Sequence, residues 1–133
     1  MKPARTKYRL MEDGDYESVV KLLSKLHYPV MATSSPEIVA ERDGEIIGFI
    51  SRGPSVGIEE CIVEPIVAPS VFVYVRLIEA MENVLRAFKI PFFVFKVPHE
   101  LDKYNTFLQK VSNEIVFKYA EDDDYSWYLR RIH

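Results

Sequence analysis

Apolar residues recur at three- and four-residue steps from Tyr16 through Val19, Val20 and Leu23 to Leu26, the stripe of an amphipathic helix. Asp13-Gly14-Asp15 ahead of it offers an N-cap and early negative charge. Pro29 should end the helix near His27. A longer stripe of Tyr74, Leu77, Met81, Val84, Leu85 and Phe88 predicts a helix over 70–88, with Arg76, Glu79, Glu82 and Arg86 on its other side. A third helix over 100–111 carries Leu101, Tyr104, Phe107, Leu108 and Val111.

Strand patterns fill the intervals. Lys7–Met11 reads as a first strand, and 28–36 as loop. Two β-rich runs, Glu37–Arg42 and Glu45–Arg52, flank Asp43-Gly44, a hairpin signature because both turn residues need φ > 0. Ile58–Val63 follows Gly57 as another strand. The run from Pro91 to Val97 shows no alternation, as expected of a central strand covered on both faces. Glu114–Ala120 and Tyr125–Ile132 form a second hairpin across the acidic turn Glu121–Asp124. The order β-α-β-β-β-α-β-α-β-β, with no repeat or linker, predicts one α/β domain spanning 1–133.

Composition removes several classes of function. A net charge of −3 without a basic run gives no footprint for nucleic acid. No apolar run approaches the ~20 residues that cross a bilayer, and 1–7 lacks the apolar core of a secretion signal. A single cysteine, Cys61, excludes an intrachain disulfide framework. The expectation is a protein of the cytoplasm. His27, His99 and His133 have no metal-binding spacing, and 121–124 lacks the alternating ligands and glycine of a calcium loop, so no metal is expected.

The stretch from Val63 to Glu82 joins an apolar strand ending in Val63-Glu64-Pro65 to a short turn and a long helix. Ile58-Glu59-x-Cys61-x-Val63-x-Pro65 and Phe107-Leu108-Gln109-Lys110-Val111 stand at matching separations around it. Together with the element order, these resemble the GNAT superfamily of N-acetyltransferases from Tyr8 to Ile132. The resemblance implies a mixed central sheet flanked by helices, with the fourth and fifth strands splayed. Acetyl-CoA would lie between those strands, with Ile62, Val63 and Glu64 against its pantetheine and Ser70, Val71, Phe72 and Val73 at its pyrophosphate. A primary amine would approach from the other side.

The sequence departs from the family pattern at several places. The family's phosphate turn is Arg/Gln-x-x-Gly-x-Gly/Ala, whereas Ala68, Val71 and Val73 stand here with Pro69 between. Glycine lets backbone approach phosphate closely, and proline offers no N–H. Leu108 takes the place of the family's acid tyrosine, and Ser112-Asn113 that of its Gly-Phe. The segment before the second strand is short for an acceptor loop with its own helix. Glu59 is the candidate base, provided burial raises its pKa; otherwise it points outward from a half-exposed strand. Tyr104, one turn before Leu108, is the candidate acid or a core residue. Cys61 reads as a small buried hydrophobe. Tyr125, Trp127 and Tyr128 form an aromatic strand suited to core packing or, at a sheet edge, to homodimer contact. Two functions follow: an acetyl-CoA-dependent N-acetyltransferase, or a GNAT-like binding or structural module without catalysis, as in a phage or mobile-element protein.

Overall fold

The Asp43-Gly44 turn adopts the conformation that its residues favour, with φ of 53° at Asp43 and 77° at Gly44. It joins β2 (Ile38–Arg42) to β3 (Glu45–Arg52). The computed structural model describes residues 5–25, 37–52, 62–111 and 116–132. Around this hairpin are β1 (Lys7–Leu10), α1 (Tyr16–Lys25), β4 (Ile62–Val67), α2 (Val71–Ala87), β5 (Phe92–Pro98), α3 (Asp102–Lys110), β6 (Val116–Glu121) and β7 (Tyr125–Arg131). The strands form one seven-stranded sheet in the order β1-β2-β3-β4-β5-β7-β6. Only the β4–β5 junction is parallel; the other neighbours are antiparallel.

Helices cover the sheet from both sides. Ile38, Ala40, Ile50, Val63, Phe93, Phe95, Val97 and Tyr128 bury against the α2 residues Val73, Tyr74, Leu77, Ile78, Met81 and Leu85 and against Leu108 of α3. Val39, Ile46, Phe49 and Val67, on the opposite face, pack with Val19 of α1. Arg9 of β1 bonds both Asp15 and Glu41, which pins the start of α1 to the sheet. Its guanidinium holds the Asp15 carboxyl at a pKa of about 2. Helix α2 ends in a Schellman arrangement, with Ile90 N–H on the Leu85 carbonyl and Lys89 N–H on that of Arg86. Lys89 takes the left-handed φ of 58° usually left to glycine.

Several sequence expectations need correction. The strand expected to end at Val63 runs on through Pro65 to Val67. The part of that strand before Ile62 lies outside the described residues. β5 does alternate: Phe93, Phe95 and Val97 are buried, while Phe92, Val94 and Lys96 are half-buried on the other face. Tyr16, Phe88, Phe107 and Val111 belong to the apolar stripes of the sequence yet are exposed, because each stripe is wider than the contact its helix makes. The aromatic strand β7 lies between β5 and β6. Its backbone is paired on both sides, so it is not an edge strand. The edge on this side of the sheet is β6, where Lys118 pairs with Tyr128 and Ala120 with Trp127. Tyr119 is therefore an extra residue in a bulge, a device that spoils an edge for further pairing.

The acidic turn is organised by one carboxylate. Asp122 accepts the N–H groups of Asp124 and Tyr125 at 2.9 and 2.7 Å, and the indole N–H of Trp127 at 3.0 Å. These bonds, the indole's first, hold its pKa below the ordinary 3.8. A depressed carboxylate stabilises the fold above its unfolded pKa and loses that contribution as pH falls through the folded one. Trp127 is the only tryptophan. Its fluorescence should therefore stay constant down to about pH 4 and change below it. Asp122→Asn should abolish that step; a step retained in the variant would contradict the assignment.

Candidate functional site

Among the described residues, β4 and β5 run side by side for two residue pairs, Ile62 with Val94 and Val63 with Phe95. Beyond them β4 stays with β3 as far as Phe49–Val67. β5 stays with β7 as far as Pro98–Tyr125. The two strands therefore part at their C-terminal ends, and a wedge opens between 64–67 and 96–98. A bulge shapes the β4 side. Ile66 pairs with Ile50 and Val63 with Arg52, so two residues of β4, Glu64 and Pro65, oppose the single Ser51. Proline fits a bulge because no ladder bond is required of its missing N–H. That explains why Pro65 did not end the strand.

Helices begin at both lips of the wedge. α2 follows β4 through Ala68-Pro69-Ser70, and α3 follows β5 through His99-Glu100-Leu101. Ser70 caps α2: its Oγ accepts the N–H of Val73 at 3.3 Å, and its carbonyl accepts that of Tyr74 at 3.0 Å. The N–H groups of Val71 and Phe72 have no partner among the described residues, as at most helix starts. Phe72 is exposed, with the Arg76 guanidinium 5.2 Å from its ring centre.

The turn sits close on β3. A Cβ added at Gly48 would lie 2.5 Å from the Val67 carbonyl oxygen and 3.3 Å from the Ala68 Cα. Both are backbone atoms, so the turn itself would have to shift. Gly48→Ala should cost about 1–3 kcal/mol; an unchanged urea midpoint would contradict the close approach.

Aromatic rings fill the α2/α3 side of the wedge. Tyr104 of α3 stacks on Tyr74 of α2 at 4.8 Å and 16°. Tyr74 meets Phe95 edge-on at 6.5 Å, and Phe95 stacks on Tyr128 at 5.6 Å. The Tyr104 hydroxyl donates to the Ala68 carbonyl at 3.1 Å. Beneath lies Asn105, buried, whose amide donates to the carbonyls of Pro98 and Leu101 while its oxygen accepts the Tyr128 hydroxyl at 3.0 Å. Asn105 thus fixes the end of β5 to the start of α3. The sequence signal for it was a polar residue between Tyr104 and Leu108 on the buried side of α3. Ser51 was missed as well: its hydroxyl is wholly buried beside the bulge and has no partner among the described residues.

The sequence-derived site residues divide into groups. Glu59, Cys61, His27, His133, Ser112 and Asn113 lie outside the described residues. Ile62 and Val63 pair with β5 at the closed end of the wedge, Val63 buried in the core, and Glu64 follows where the strands part. Ser70, Val71, Phe72 and Val73 do open α2, yet the Val73 side chain is buried and its N–H is already taken by Ser70. Leu108 is buried among core side chains. Tyr104 stands at the wedge with its proton committed to Ala68. Among the described residues, no group of three His, Cys, Asp or Glu could hold a metal ion, and no helix is long and apolar enough to cross a membrane.

Nearly the whole chain superposes on solved structures of acetyltransferases. A probable acetyltransferase from Staphylococcus epidermidis superposes with a TM-score of 0.72 over 96% of this chain and 99% of its own, at 13% identity. The ribosomal-protein-S18-alanine N-acetyltransferase of Escherichia coli gives 0.69 over 96% and 94%, at 11% identity. The chain has the GNAT fold. The PaiA N-acetyltransferase of Thermoplasma acidophilum, solved in complex with coenzyme A, gives 0.69 over 96% and 99%, at 10% identity. No family model and no curated protein matches at the level of sequence. The likeness to these structures is therefore one of fold, at 10–13% identity.

Proposed function

We propose that the wedge between β4 and β5 receives the pantetheine arm of acetyl-CoA and that the chain is an N-acetyltransferase acting on a primary amine. The carrying observation is the parting of the two parallel strands after Val63 and Phe95, at the foot of α2. Beyond Val63, no residue of 64–67 pairs with β5 among the described residues. Backbone groups of these residues suit an extended ligand bearing amides, which can bond to them as an added strand would.

The residues present fit the two parts of the donor unequally. The arm matches the wedge. The diphosphate has two N–H groups at Val71 and Phe72 and the helix dipole to hold it. Against it stand Pro69 without an N–H, Val73 with its N–H taken, and the Ala68 carbonyl turned toward α3. When bound, acetyl-CoA would supply the thioester carbon, whose bond to sulfur breaks as the bond to nitrogen forms. Glu59 would take the proton that an ammonium must lose before it can attack. Leu108 has no proton to return to the departing sulfur, which leaves water as the source.

A GNAT-fold module without catalysis is the second reading. It is favoured by the poor diphosphate grip and by Tyr104 standing against the turn. The deciding assay incubates the chain with acetyl-CoA and a panel of amino acids, polyamines and peptides. Amine-dependent release of thiol, with the amine gaining an acetyl mass, is expected for an acetyltransferase. Release that no amine accelerates favours the second reading.

A further inference from the structure

We infer that Tyr104 is a strap across the donor side of the wedge, which an acyl donor must displace, so that this residue sets donor affinity. The inference rests on the acyl-donor reading of the wedge. β4 leads into α2 and β5 into α3, so the opening between the strand ends is flanked by the starts of both helices. Tyr104 lies in the first turn of α3, on one lip. Two of its contacts are on the other lip: the ring lies flat on Tyr74 in the first turn of α2, and the hydroxyl bonds the Ala68 carbonyl just past β4. One side chain therefore spans the gap.

The polarity at the far end supports the same conclusion. The group offered to Tyr104 by the turn is a carbonyl oxygen, which attracts a hydroxyl donor and repels phosphate. A ligand running from the wedge to the start of α2 must pass between Ala68, Tyr74 and Tyr104. It gains its contacts there only after the stack and the hydrogen bond have opened. Apparent affinity is then reduced by the fraction of molecules with the strap open.

The experiment is a calorimetric titration of coenzyme A into the full chain, Tyr104→Phe and Tyr104→Ala, with thermal unfolding of each protein alone. Phenylalanine keeps the stack and removes only the hydroxyl, so it stays informative if the alanine variant folds poorly. The expected result is binding tightened about threefold by Tyr104→Phe and about tenfold or more by Tyr104→Ala, while both variants melt lower than the parent without ligand. These opposite signs separate a strap from a merely structural residue, whose loss would lower stability and affinity together. Binding in Tyr104→Ala alone would support the strap equally. If the parent binds and Tyr104→Phe binds no tighter, the strap is overturned and the acyl-donor reading stands. If the parent and the folded variants all fail to bind at millimolar coenzyme A, the acyl-donor reading falls and the strap with it.

Discussion

Phe95→Ala is expected to destabilise the fold by about 3–5 kcal/mol, lowering the melting temperature by about 10 °C or more. Phe95 is wholly buried. Its ring stacks on Tyr128, meets Tyr74 edge-on and tilts against Phe93. It also forms the last β4–β5 pair, with Val63, before the strands part. The wedge can open on one side only because this cluster keeps the strands joined on the other. A cavity there weakens packing with β7 and α2 at once, and rigid neighbours in three elements cannot all collapse into it. Phe107→Ala, at an exposed position of α3, should change stability by no more than about 0.5 kcal/mol. A loss below about 1 kcal/mol at Phe95 would show that the wedge is held from elsewhere.

Glu59→Gln is expected to lower kcat for acetyl transfer by about 10²–10⁴-fold, with affinity for coenzyme A unchanged. A primary amine with the usual lysine-like pKa of about 10.4 is almost wholly ammonium at neutral pH. It has no lone pair for the thioester until a base removes a proton. Glutamine preserves the size of the side chain and its hydrogen bonding but cannot accept that proton. The deficit should shrink as pH rises toward the amine's own pKa, because the neutral amine then forms unaided. A deficit that stays constant with pH, or comes with weaker donor binding, would place Glu59 in a structural role.

The element order was legible because helix and strand periods differ and the chain obeys both. Asp43-Gly44, the stripe of α2 and the apolar run of β5 each fixed an element on local grounds. Pro65 misled because its meaning depends on register: in a regular ladder it ends a strand, and opposite Ser51 it sits in a bulge. The place of β7 inside the sheet could not be read from its aromatic content, since pairing partners are set by the whole topology. Within the site, the start of α2 was legible as a turn lacking glycines. The placement of Tyr104 was not. Helical spacing put it on a shared face with Leu108, but the partners it reaches, Ala68 and Tyr74, lie 36 and 30 residues away in the chain and meet it only in three dimensions. Asn105 was overlooked for the same reason: its amide joins β5, α3 and β7.

The central claim is that the parted strands of this GNAT fold still take an acyl donor despite a poor diphosphate grip. Titration of acetyl-CoA into the protein, followed by heat and by thermal unfolding, tests it most directly. The account predicts saturable one-to-one binding and a stabilisation of about 2.7 kcal/mol at a hundredfold excess over Kd, with pantetheine alone retaining a measurable share of the affinity. No heat and no shift in unfolding at millimolar acetyl-CoA would contradict it.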